Sequence, residues 1–133
     1  MNKWISLIII TFCFLLVSCQ RHPDAVALTV EFTWDGYEHC GMGLPRMHIK
    51  AVPENTEFLE VSMYDHEHGF DHGKVKIAYA GSGTITKGSH TEITGPCPPP
   101  NNPGRYKITV IALDASDAVI GIGSQERSFP EKK

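Results

Sequence analysis

No segment of this sequence carries an apolar stripe of helical period over ten residues or more, so long amphipathic helices are not expected. Charge of one sign is also scarce. Lys and Arg number 12 against 15 Asp and Glu, for a formal net charge of -3. There is no basic patch to hold nucleic acid and no long acidic run of the kind found in disordered tails. No internal repeat is present. The sequence contains no G-x-S-x-G elbow, P-loop, H-E-x-x-H pair or paired-carboxylate pattern of a glycosidase, so an enzyme is not expected.

What is present begins with an export signal. Met1-Asn2-Lys3 is a short basic start, and Trp4 to Val17 is almost wholly apolar, Ser6 and Thr11 excepted. That run is too short for a comfortable membrane span and reads as a signal peptide over residues 1–18. Leu16-Val17-Ser18-Cys19 resembles a bacterial lipobox, which makes Cys19 the expected lipidated residue. Gln20 follows it, not the Asp of inner-membrane retention. The expected location is the cell envelope, lipid-anchored, facing the periplasm, with the outer membrane favoured. Residues 19–25 form a tether, and 26–130 form a single domain of ordinary size.

Two of the four cysteines are consumed by this reading: Cys13 leaves with the signal, and Cys19 is lipidated. Cys40 and Cys97 remain as an even pair in an oxidising compartment. They are either a disulfide, closing a long loop, or two free thiols.

The domain reads as all-β. Val26, Leu28, Val30, Phe32 and Trp34 alternate on one face. Leu59, Val61 and Met63 do the same, then Val75, Ile77 and Tyr79, then residues 105–113. Segments 118–122 and 126–129 are two further candidate strands. Turn residues recur between them, at Asp35-Gly36, Pro53-Glu54-Asn55, Gly81-Ser82-Gly83 and Asp114-Ala115-Ser116. Short strands at this spacing suggest a sandwich or open barrel. Gly95-Pro96-Cys97-Pro98-Pro99-Pro100 must be a stiff loop, because proline suits neither helix nor central strand.

Chemistry concentrates in Tyr64 to Gly73, which holds His66, His68 and His72 with Asp65, Glu67 and Asp71. Composition leaves two readings open. One is a solvated polar loop on a purely structural or adhesive β-sandwich. The other is a zinc or copper site using His66, His68, His72 and His90, imidazole being a common ligand for both metals.

A third reading comes from resemblance. GPCPPP, a short gap, Arg105-Tyr106 and a strand ending Ala112-Leu113-Asp114 resemble the C-terminal signature of the phosphatidylethanolamine-binding, or Raf-kinase-inhibitor-like, family. Cys40-Gly41 with Leu44-Pro45-Arg46-Met47 resembles its CDG…SPxL passage. Residues 51–56 resemble its V-P-x-x-T-K loop. Asp65 and Glu67 fall where its D-x-D-x-P acids lie, and His72 falls on its pocket histidine. The resemblance runs from about Phe32 to Asp114. It implies a β-sandwich whose pocket uses Asp65, Glu67, His72, Gly95, Pro96, Cys97 and Tyr106 on a small anionic or phosphorylated ligand, or on a protein partner, with no cofactor. Asp65 and Glu67 would orient His72 or accept from an ammonium group. N–H groups around Gly95 and Cys97 would meet the anion.

The chain departs from the family pattern at several points. Gly73 stands in place of a Trp and Gly104 in place of a second pocket His. The Pro after the second acid is missing. The family's C-terminal helix has no counterpart, since 118–129 reads as strand.

Overall fold

The computed structural model describes residues 24–131. The expected signal peptide and the expected lipidated Cys19 lie outside them. Eight strands and no helix occur among the described residues. They are β1 (Val26–Ala27), β2 (Thr29–Thr33), β3 (Arg46–Lys50), β4 (Phe58–Asp65), β5 (Phe70–Ala78), β6 (Thr84–Ile85), β7 (Gly104–Leu113) and β8 (Val119–Phe129).

Two sheets form a sandwich. One has five strands in the order β1-β8-β7-β4-β5, and the other has three in the order β2-β3-β6. The first alternating run of the sequence serves both. Val26 and Ala27 lie parallel to Gly121 and Ile122 of β8, and after Leu28 the chain pairs antiparallel with β3 in the other sheet. Gly121 and Gly123 permit this crossing. A Cβ on Gly121 would meet the Leu28 side chain at 2.8 Å, and one on Gly123 would meet the Leu28 backbone. Glycine is therefore required where one strand passes closely over another.

The inward residues of both sheets make one core. Phe32, Met47 and Ile49 from the small sheet meet Leu59, Val61, Met63, Ile108 and Val110 from the large one. Trp34 sits at one end of it, edge-on to Phe32, Tyr37, Tyr106 and Phe129, with ring centroids 5.1 to 5.7 Å apart. Edge-to-face stacking of this kind adds to the area buried.

Several sequence expectations change. Segments 118–122 and 126–129 are one strand, β8, bonded to β7 along nearly its whole length. Arg46–Lys50, not named among the candidate strands, is β3; Met47 and Ile49 point inward between exposed Arg46, His48 and Lys50. Tyr64 to Gly73 is not a loop but a tight hairpin, in which Asp65 pairs with Phe70, Tyr64 with Asp71 and Met63 with Gly73, leaving His72 as the extra residue of a bulge in β5. Among the described residues the extended, glycine-rich stretch of β8 is followed by no helix, as expected.

Candidate functional site

The hairpin end of β4 and β5 places Asp65 at the edge of the core, 2% exposed. One of its oxygens accepts from the backbone N–H groups of Glu67 (2.8 Å), His68 (3.3 Å) and Arg105 (3.2 Å). The other accepts from His68 Nδ1 at 2.7 Å. Asp65 thus closes its own turn and ties it to the start of β7, a role suited to a short side-chain acceptor. Burial pushes its carboxyl up, but the His68 ring and the three N–H groups outweigh this and hold it below its ordinary value. The far side of the His68 ring, Nε2, lies 3.0 Å from the Asn102 amide.

His72 lies two residues into β5 and is 6% exposed. Its Nδ1–H donates to the Thr94 carbonyl at 2.8 Å, and Thr94 N–H returns a bond to the His72 carbonyl at 3.0 Å. That exchange fixes the tautomer, so in the neutral ring Nε2 is the free lone pair. Nε2 has no protein partner among the described residues. Gly73 next to it has φ of +108°, and a Cβ there would lie 3.2 Å from the Glu92 carbonyl. A tryptophan, as in the family pattern, has no room in this backbone.

The Pro-rich loop forms the opposite wall. Gly95 N–H donates to the Gly41 carbonyl (2.9 Å), and Cys40 N–H donates to the Pro96 carbonyl (2.8 Å). The Cys40–Cys97 disulfide joins the same two segments, with Cα atoms 4.2 Å apart. The pairing left open in the sequence is therefore made. Cys97 N–H has no acceptor among the described residues, and the flanking prolines hold it in place without offering a competing donor.

Tyr106 makes the floor. It is 1% exposed, and its ring is edge-on to His72 (5.3 Å) and Trp34 (5.7 Å). Burial, then the neighbouring Asp65 carboxylate, pushes its hydroxyl up, so it stays a protonated donor. Gly104 is what admits the ring: a Cβ built there would fall on the Tyr106 hydroxyl and ring carbons. The position that resembles a family histidine is thus filled by tyrosine.

Together these residues enclose a cavity of about 460 Å³ lined by Asp65, His68, Phe70, His72, Thr94, Gly95, Cys97, Pro98, Pro99 and Tyr106. Its surface is largely apolar with a few polar groups, the usual make-up of a small-molecule site. Of the residues expected at a pocket, Asp65, His72, Gly95, Cys97 and Tyr106 come together here. Glu67 does not: it is exposed on the turn and outside the cavity. Pro96 is buried behind the wall. Asp65 orients His68, not His72, and the Gly95 N–H is spent on Gly41. Phe70, Thr94, Pro98 and Pro99 were not foreseen; position in the fold, not residue type, brings them in.

The four histidines of the metal reading are scattered. His66 Nε2 lies 4.0 Å from Glu126, His68 binds Asp65 and Asn102, His72 binds Thr94, and His90 occupies a separate turn with φ of 57°. No three of them gather at one point among the described residues.

No protein-family model matches the sequence, and no curated protein does. The structure is similar to the crystal structure of a phosphatidylethanolamine-binding protein homolog from Chlamydia trachomatis, with a TM-score of 0.52 and 17% identity. The match covers 82% of this chain and 99% of that one. The fold is of the phosphatidylethanolamine-binding type. Among the described residues the sandwich ends in β8, and a cavity lies at the β4–β5 hairpin.

Proposed function

We propose that this is a lipid-anchored envelope protein that binds a small anionic, phosphorylated ligand in the cavity without transforming it. The observation that carries the reading is His72. It is a buried imidazole on the cavity wall, held through Nδ1 by the Thr94 carbonyl, with Nε2 left for a ligand. A protonated ring donates to a phosphate oxygen through that atom. Cys97 N–H supplies a second donor from the facing wall, while the Tyr106 hydroxyl on the floor is turned to Asp65. Asp65 is no bare charge, since four hydrogen bonds already meet it. It remains able to attract an ammonium group carried on the same ligand. Phe70, Pro98 and Pro99 give an apolar surface for a short carbon chain. Anchorage rests on the lipobox at Leu16–Cys19, and Gln20 favours the outer membrane.

Thermal shift on residues 20–133 tests the binding reading, with phosphorylethanolamine in one series and zinc or copper in parallel wells. A ligand at a hundred times its Kd adds about 2.7 kcal/mol of stability. The expected result is a rise in Tm with phosphorylethanolamine that His72→Ala abolishes. A rise with metal alone, lost on replacing His66 and His68, would move the function to the hairpin tip. The anchor is tested separately: Cys19→Ala should leave the protein unlipidated by mass spectrometry and out of the membrane fraction.

A further inference from the structure

The Cys40–Cys97 bridge carries more chemistry than a staple needs. Both cysteines are exposed, and Cys97 also lines the cavity. His39 stands beside the bridge with Nδ1 3.3 Å from Cys40 Sγ. Its Nε2 lies 2.8 Å from the Pro98 carbonyl. A carbonyl only accepts, so Nε2 carries the proton, and in the neutral ring Nδ1 presents a lone pair to the sulfur. The ring is also stacked on Phe129, with planes 17° apart and centroids 6.5 Å apart. In the disulfide, Cys40 Sγ has no hydrogen to give that lone pair. Only after the bridge opens does Nδ1 gain a partner.

We propose that Cys40–Cys97 is a redox-active disulfide at the cavity rim, opened by dithiols that attack Cys97 while His39 receives the departing Cys40 sulfur. In the first step an external thiolate bonds to Cys97 Sγ, and the Cys40–Cys97 bond breaks. The electron pair leaves on Cys40 Sγ; His39, having taken a proton from solvent at Nδ1, donates it to that sulfur or holds it as a thiolate by a charge-assisted hydrogen bond. In the second step the other thiol of the dithiol, deprotonated, displaces Cys97 as a thiolate. The dithiol becomes a disulfide, and two electrons and two protons pass to the cysteine pair. The direction of attack follows from leaving-group stability: the sulfur beside the imidazole leaves faster, and the sulfur on the cavity side is the one attacked. Opening the bridge does not release the loop, because the backbone bonds Cys40–Pro96 and Gly95–Gly41 flank it.

The test uses the purified full chain in its oxidised form, with dithiothreitol at neutral pH. Free thiols are trapped by alkylation and counted by mass spectrometry over time. His39→Ala should open about tenfold more slowly, the effect of raising the leaving-group pKa by a few units. Its Tm in the oxidised state should fall only slightly, by the loss of one hydrogen bond and the Phe129 contact. Independently of any variant, brief exposure of the unaltered protein to glutathione should give a mixed disulfide that peptide mapping places on Cys97. Equal opening rates in parent and variant, or glutathione found on Cys40, would overturn the proposal.

Discussion

At the scale of single residues, the site depends on side chains that satisfy one another before any ligand arrives. Asp65 is the clearest. Its carboxyl titrates lower in the folded chain than in the unfolded one, so it adds stability at pH values above the ordinary carboxylate value of about 3.9. That stability is lost as pH falls below this value and through the lower folded one. An acid titration of Tm should show the loss, and Asp65→Asn should flatten it while lowering Tm at neutral pH. Gly104 makes the opposite point, since its contribution is an absence. Placing a histidine there should force the Tyr106 ring out of place, at about 1–3 kcal/mol in urea unfolding, as overpacking usually costs. No sequence pattern states that a glycine makes room for a tyrosine two residues on. The departure from the family signature was visible; its compensation needed coordinates. The His68–Asp65 pair was hidden for a similar reason. A three-residue spacing brings the two together only because the hairpin is tight, and a longer loop with the same residues would not.

At the scale of elements, alternation was legible where strands are long and one-sided. Leu59 to Met63 of β4 and Tyr106 to Val110 of β7 alternate apolar and polar residues, and both strands sit where expected. β8 was read as two pieces because Gly121, Gly123 and Ser124 weaken its pattern. Those glycines are not a break; they mark where Leu28 crosses. Gly123→Ala should therefore destabilise by about 1–3 kcal/mol, because its Cβ meets backbone that cannot swing aside. The same change at Gly88, which has φ of +77° but open space, isolates conformational strain from collision. Chemical denaturation of the two variants separates these causes. β3 was missed for a different reason: Met47 and Ile49 do alternate with polar neighbours, but five residues are too few to outweigh the loop motif on either side. β6 has two residues and no pattern to read. The start of β5 looked like loop because Asp71, His72 and Gly73 are poor strand formers, and pairing with β4 overrides that preference.

At the scale of the whole molecule, a small domain is held by one shared core and one covalent tie. The bridge spans a sequence separation of 57 residues. Removing it by Cys40→Ala with Cys97→Ala should cost roughly 4 kcal/mol, mainly by freeing the unfolded chain. Guanidinium unfolding of the double variant against the parent measures it. The sandwich class was legible from turn spacing; the assignment of strands to sheets was not, because a single alternating run feeds both of them across Leu28. That crossing has a consequence for how the chain is made. Val26 and Ala27 leave the ribosome long before Gly121 and Ile122, their partners. The large sheet has β1 at one edge and β8 between it and β7, so that side of the sheet closes only after β8 has been made. Pairings between such distant residues form slowly. A chain cut short before β8 would not be a smaller version of this protein but a sheet with β7 bare along one side, open to pairing with whatever strand it meets first.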